Sequence, residues 1–207
     1  VYNGNLLYHG CVPLKEDGNL KSVRIFGRAY KGKGLYEVLE SYVRKGFYAM
    51  DPKEKERGKD IMWYIWLSEN SPLFGKDKMA TFERYFLAEK ETHKEKKNPY
   101  YLLLEDEKVV GKILKEFGLE SEDAHIINGH VPVKCKDGEN PVKCGGKVLV
   151  IDGGFSKAYQ KETGIAGYTL IYNSYGLILA AHKPFESTEA AIEKESDIHS
   201  DSTVVKR

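Results

Sequence analysis

Residues Ile126–Gly154 read IINGHVPVKCKDGENPVKCGGKVLVIDGG, and this stretch decides the fold that the sequence predicts. It begins with two isoleucines and continues into an Asn-Gly-His turn, with Pro132 two residues after His130. The pattern predicts a buried strand that ends sharply, because glycine permits a tight bend and proline cannot continue a hydrogen-bond ladder. Open α/β sheets bind ligands at the carboxyl ends of their strands, so His130 is a candidate metal ligand. The alternative is a hairpin corner whose histidine is only hydrogen-bonded.

A second predicted strand, near the start of the chain, ends in the same way. Residues 5–14 read NLLYHGCVPL, in which an apolar segment leads to His9 and then Gly10. A metal site needs stiffly held ligands, and these usually come from the ends of different strands. The two corners together therefore predict a shared metal, while the residues alone leave the structural interpretation of each histidine open.

Five longer strings carry a resemblance that covers nearly the whole chain. They are NLLYHGCVPL (5–14), SPLFGKDKMATFERYF (71–86), KNPYYLL (97–103), INGHVPVK (127–134) and VIDGGFSKAYQKETGIAGYTLIYNSYGLILAAHKPF (150–185). In these strings the chain resembles the class III fructose-1,6-bisphosphatases, which belong to the calcineurin-like metallophosphatase superfamily. The segments NGHVPVK and IDGGFSKAYQ are far more specific than a lone motif.

The resemblance implies metal ligands at two of the superfamily's motifs. In that superfamily a two-metal centre takes its ligands from Asp-x-His, Gly-Asp, Gly-Asn-His, His and Gly-His motifs, in that order. His9 matches the isolated histidine and His130 matches Gly-His, whereas the first three motifs are absent from this sequence. Many members also have Gly-His-x-His, but Pro132 and Val133 stand here instead. The resemblance therefore implies the carboxyl-side part of a catalytic core with an incomplete metal site.

The function implied by the resemblance is hydrolysis of the 1-phosphate of fructose 1,6-bisphosphate, a step of gluconeogenesis. The implied cofactor is manganese, at a two-metal site that only the parent enzyme completes. The expected partners are the sugar bisphosphate and the missing amino-terminal part of the same enzyme. The 207-residue chain alone is expected to be inactive, and none of its residues is assigned a catalytic role.

Polar residues in two regions are candidates for binding the substrate. Arg84 is suited to bidentate binding of a phosphate, although an ion pair with Glu83 or a neighbour on a helix surface explains it equally well. After the predicted strand 147–152, Gly153 and the next glycine let the backbone approach a ligand closely. The candidate substrate-binding residues are Lys76, Arg84, Asp152, Ser156 and Lys157.

Composition limits the classes of function. The chain has 32 Lys and Arg against 31 Asp and Glu, so no net charge attracts it to nucleic acid or to a membrane. Its 41% hydrophobic content suffices for a core, and its few cysteines predict a reducing, cytoplasmic setting. It begins at Val1 without a methionine or a signal-like segment, which indicates a truncated or processed product. Two other classes stay open: a non-catalytic sugar-phosphate-binding module, and a structural zinc domain built on Cys11, Cys135 and Cys144.

The predicted fold is α/β, half of a metallophosphatase-type β-sandwich flanked by helices, with one sheet face exposed or covered by a second copy. Residues 1–185 would form the catalytic part, with a largely helical insertion at 35–118, and residues 186–207 a polar helix and tail. The helix that begins at Pro52 is expected to bury Met62, Trp63, Ile65 and Trp66 and to be interrupted near Gly58. Strands are expected near 6–8, 126–128, 147–152, 167–172 and 177–182.

Overall fold

The structure, a computed structural model, describes residues 1–174, 176–185, 187–195 and 200–206. The chain divides into two units, Val1–Ala124 and His125–Arg207. Both units contain strands and helices, which confirms the α/β class.

The first unit is mainly helical. Its strands are β1 (Leu6–Leu7), β2 (Val23–Ile25) and β3 (Arg28–Tyr30), and its helices are α1 (Gly32–Tyr48), α2 (Pro52–Leu67), α3 (Thr81–Phe86) and α4 (Glu107–Glu116). Short 3-10 helices lie at Lys90–His93 and Pro99–Leu102. Strands β2 and β3 form an antiparallel hairpin, and the four helices fall in the region predicted to be a helical insertion.

Helix α2 begins at a capping residue and packs closely against α1. Asp51 caps α2, since its side chain accepts a hydrogen bond from the backbone N–H of Lys53, and Pro52 occupies the first turn. The two helices approach closely at Gly46 and Gly58, where a Cβ atom added to either glycine would lie within 2.6 Å of the other's Cα. Gly58 therefore lies within a continuous helix, and the predicted interruption there is wrong. The core around these helices consists of Val23, Ile25, Leu35, Leu39 and Ile61.

The predicted burial of three side chains on α2 is also wrong. Met62, Trp63 and Trp66 are 53%, 60% and 56% exposed. The contact with α1 passes through Gly58 and Ile61, which are both buried, and this fixes which side of α2 faces the core. At 100° per residue, Trp63 and Trp66 lie about 170° and about 110° from the middle of that contact, whereas Met62 lies at its edge, about 70° away.

Helix α4 begins at a capping residue and is amphipathic. Asp106 caps it, accepting hydrogen bonds from the backbone N–H groups of Lys108 and Val109. Its apolar residues at helical spacing are the buried ones. They are Val109, Val110, Ile113 and Leu114.

The second unit contains two sheets. Its strands are β4 (Ile126–Asn128), β5 (Val142–Lys143), β6 (Val148–Val150), β7 (Gly167–Asn173), β8 (Gly176–His182) and β9 (Ser200–Lys206), and its helices are α5 (Lys157–Thr163) and α6 (Thr188–Glu193). Strand β4 pairs parallel to β6, which also pairs antiparallel to β5. Strands β7, β8 and β9 form an antiparallel sheet. Strand β9 lies within residues 186–207, for which the sequence predicts a polar helix and tail.

Within the described ranges, none of the helices is both long enough and apolar enough to cross a membrane.

Candidate functional site

His130 lies at a fixed corner after the buried strand β4. It has a left-handed backbone conformation, with φ 68°, and its side chain is half-buried. The backbone on either side is held by the neighbouring segment after β6. Asn128 O accepts a hydrogen bond from Ile151 N (2.9 Å), and Asp152 O accepts one from Val133 N (2.8 Å). The corner predicted at this histidine is thus present, and backbone hydrogen bonds on both sides hold the turn in place.

The parallel pairing of β4 with β6 brings Asp152 to the same edge as His130. In the register of these strands Asn128 is opposite Val150, so the residues that follow each strand meet. The Asp152 carboxylate is half-buried and accepts a hydrogen bond from Gly154 N (2.9 Å). These two predicted site residues therefore belong to neighbouring turns.

The remaining candidates of this unit lie further along the same loop. Gly153 packs against β7, where a Cβ added to it would lie 2.6 Å from the Cα of Gly167. This glycine is therefore required for packing, in addition to any approach to a ligand. Ser156 and Lys157 are exposed at the start of α5, and the Ser156 side chain makes no capping hydrogen bond there.

His9 lies at the other predicted corner, in the first unit, and its side chain is exposed. The next residues are fixed against the loop 71–75. Cys11 N donates a hydrogen bond to Pro72 O (2.8 Å), and a Cβ on Gly10 would come within 2.6 Å of the carbonyl oxygens of Pro72 and Leu73. The predicted strand-histidine-glycine corner is thus held by close backbone packing.

Buried tyrosines support the chain on both sides of His9. The hydroxyl groups of Tyr8 and Tyr100 lie 2.7 Å apart, and Tyr36 Oη donates to Cys11 O (2.9 Å). Asn98 Oδ1 accepts a hydrogen bond from the backbone N–H of Leu14 (3.1 Å).

Burial raises the pKa of the Cys11 thiol to about 12, so this cysteine is a packed, neutral group. All three cysteines of the chain are reduced.

Lys76 and Arg84 converge on one carboxylate that the sequence analysis did not single out. Lys76 Nζ lies 3.2 Å from Glu95 Oε2, and Arg84 Nη2 lies 3.9 Å from Glu95 Oε1. Ala80 N donates to the same carboxylate (3.0 Å). Burial pushes the pKa of Glu95 upward, but the Ala80 hydrogen bond and the two cations outweigh it and hold that pKa below its usual range. The structure thus shows the ion-pair alternative for Arg84, with Glu95 rather than Glu83 as the partner.

The lowered pKa of Glu95 predicts how Glu95→Gln changes thermal stability with pH. The folded pKa is below the unfolded value of about 4.3, so ionised Glu95 stabilises the fold above that pH. This stabilisation is lost as the pH falls through the folded pKa. The difference in Tm between wild type and Glu95→Gln should be constant at neutral pH, begin to shrink near the unfolded pKa of about 4.3, and vanish once the pH is below the folded pKa. Glu91→Gln, which breaks an exposed pair with Lys94, is the control and should change Tm little at any pH.

The described residues contain no group of three or more His, Cys, Asp or Glu side chains that could hold a metal ion. Other histidines have structural partners: His93 Nε2 lies 3.0 Å from Leu87 O, and His182 Nε2 lies 2.8 Å from Thr169 Oγ1. The assignment of His9 and His130 as metal ligands stays a prediction.

Comparison with known proteins covers the whole chain. The family model described as Firmicute fructose-1,6-bisphosphatase matches residues 1–207. The chain is 58% identical over 205 residues to a fructose-1,6-bisphosphatase class 3 of Clostridium botulinum strain Hall, covering 99% of the chain and 31% of that protein. It is 61% identical over 204 residues to a protein of the same name from Clostridioides difficile strain 630, covering 98% of the chain and 31% of that protein.

These matches cover nearly all of this chain but only part of each relative. The chain spans about a third of the length of the curated relatives that it matches (31%). No solved structure matches it. Because the family model extends over every residue, the chain belongs to the Firmicute fructose-1,6-bisphosphatase family.

Proposed function

We propose that these 207 residues form the carboxyl-side part of the catalytic core of a class III fructose-1,6-bisphosphatase. The whole enzyme would hydrolyse the 1-phosphate of fructose 1,6-bisphosphate in gluconeogenesis. The observation that carries the proposal is 58–61% identity to proteins of that name over nearly the whole chain. The α/β architecture is compatible with half of a metallophosphatase β-sandwich, and reduced cysteines suit the cytoplasm.

Within this proposal, His9 and His130 supply imidazole nitrogens to the manganese centre of the whole enzyme. When bound, paired divalent ions bind phosphoryl oxygens and lower the pKa of an attacking water. The described residues do not complete such a site, so carboxylate ligands would have to come from another part of the polypeptide. The contribution of this chain is orientation: backbone bonds fix the turn that carries His130, and a packed loop fixes the residues after His9.

The polar side chains near these corners have a proposed role in binding the substrate. Asp152 is positioned beside His130 by the strand register and can accept hydrogen bonds from sugar hydroxyls. Lys76 and Arg84 can bind a phosphate, provided that the phosphate replaces the Glu95 carboxylate as their partner. Ser156 and Lys157 are exposed and reach solvent freely, as surface contacts to a substrate would require.

The direct test compares the full-length protein with the 207-residue chain. Phosphate release from fructose 1,6-bisphosphate is measured with manganese for both. The full-length protein is expected to turn over the substrate, and the isolated chain is expected to release none, because neutral imidazoles cannot compensate the charge of two divalent ions. Turnover by the isolated chain, in a preparation free of full-length enzyme, would contradict the assignment of catalysis to motifs outside it. A full-length protein without this activity would refute the function itself.

A second test concerns the two cations. If they bind a substrate phosphate, Lys76→Ala and Arg84→Ala in the full-length enzyme should each raise KM about 10-fold, the loss expected for one charge-assisted hydrogen bond, with kcat nearly unchanged. Lys94→Ala, which removes a cation from the exposed pair with Glu91, is the matched control and should leave KM unchanged. Unchanged kinetics with a lowered Tm would show that Lys76 and Arg84 serve only to pair with Glu95.

A further inference from the structure

The carboxyl-terminal half of α2 is apolar on both sides. Its inner side contributes Ile61 to the core, with Ile65 packed against it. Its outer side carries Met62, Trp63 and Trp66, which we call the α2 outer face. The two indole rings pack edge to face, with centroids 5.4 Å apart.

A helix that is apolar all round is normally buried all round. The amino-terminal half of α2 follows the ordinary surface pattern, with a run of charged residues from Lys53 to Lys59 that is broken only by Gly58. The pattern stops at the α2 outer face, where two half-exposed indoles leave about 300 Å² of aromatic surface in water. A patch of this size is comparable to the largest apolar patch on a typical monomer, which is often functional.

The size of the α2 outer face distinguishes between two possible occupants. A stable complex between separate chains buries about 800 Å² per partner, which is more than this face offers. A contact within one polypeptide needs less area, because the covalent connection supplies a high effective concentration. The chain spans 31% of the length of a 58% identical relative, so a polypeptide of that length has ample sequence to cover the face.

We propose that a segment of the same polypeptide, outside these 207 residues, docks on the α2 outer face through Met62, Trp63 and Trp66. This rests on the proposal that the whole protein has the length of its relatives. The segment would present an apolar surface to the indoles, and its docking would attach the rest of the enzyme to the helical first unit.

Methionine oxidation in the full-length protein tests the proposal without reference to activity. Met62 is 53% exposed in this structure, and Met50, after α1, is 95% exposed and gives a control with identical chemistry. Each is oxidised with dilute hydrogen peroxide, in native and in guanidinium-unfolded protein, and quantified by peptide mass spectrometry. If the face is covered, Met62 should be protected about 10-fold or more by folding, whereas an open face predicts about 2-fold. Met50 should be protected less than about 2-fold.

Two further measurements show whether the covering segment belongs to the same polypeptide and contacts the two indoles. Protection of Met62 should be the same at high concentration and after dilution to the monomer, as judged by analytical ultracentrifugation. Trp63→Gln combined with Trp66→Gln should raise Met62 oxidation towards the open value. Phe47→Gln combined with Tyr48→Gln, two exposed aromatics at the end of α1, should not. Protection of Met62 from oxidation by only about 2-fold in the native monomer would overturn the proposal. Protection that disappears on dilution would also overturn it and would assign the face to a second copy.

Discussion

Replacing His130 by alanine in the full-length enzyme is expected to reduce kcat/KM for fructose 1,6-bisphosphate by at least about 100-fold. Removing a residue that only orients a metal ligand already costs 10–100-fold in metal affinity or activity, so losing the ligand should cost more. His9→Ala should have an effect of the same order. The measurement is phosphate release at a series of manganese concentrations, with metal content determined by elemental analysis.

Backbone strain has to be separated from loss of the ligand at position 130. His130 has φ 68°, where alanine is strained and glycine is not. His130→Gly should therefore fold as stably as wild type and lose as much activity as His130→Ala. His93→Ala, which removes a histidine bonded to Leu87 O, should leave activity unchanged. Normal turnover by His130→Ala at saturating manganese would show that this histidine is not a ligand.

Gly58→Ala is expected to destabilise the first unit by about 1–3 kcal/mol, which is the usual cost of overpacking. Alanine is normally the better helix former, so helix propensity alone would make this substitution stabilising. The sign of the change in the free energy of unfolding is therefore the informative result. In α2 an added Cβ would lie 2.6 Å from the Cα of Gly46, and the clash is with backbone rather than with a flexible side chain. Gly46→Ala should behave alike. The free energy of unfolding is measured by denaturant titration.

Gly111→Ala provides the matched control. Gly111 lies inside α4, and nothing approaches within 4 Å of a Cβ added there. This substitution should stabilise the protein by about 0.5–1 kcal/mol through helix propensity alone. A stabilising Gly58→Ala would show that α1 and α2 are not in contact at these glycines.

Sequence patterns predicted those elements whose signals are local. The helical content predicted for residues 35–118 includes α4, whose apolar residues recur at helical spacing. The apolar run at Ile126 and the one at Val148 each predicted a strand. Both are signals that short segments carry by themselves, because capping and side-chain periodicity depend on neighbouring residues.

Features that depend on distant residues could not be predicted in this way. The sequence shows that α2 has apolar residues, but only its contact with Gly46 decides that the indoles lie outside. Strand β9 is polar and is specified by its pairing with β8 rather than by its own composition. Glu95 is 19 residues from Lys76 within a charged run, so nothing local distinguishes it from other surface carboxylates.

The tyrosine pair beside His9 has a consequence for the order of folding during synthesis. Tyr8 and Tyr100 are separated by 92 residues, and Leu14 and Asn98 by 84. Each of these contacts requires a long loop to close first, and loop closure costs chain entropy. Such contacts therefore form late in folding. The turn at His9 is among the first parts of this sequence to be translated, but its support is complete only after Tyr100 has left the ribosome. A growing chain therefore presents this histidine long before the residues that orient it are available.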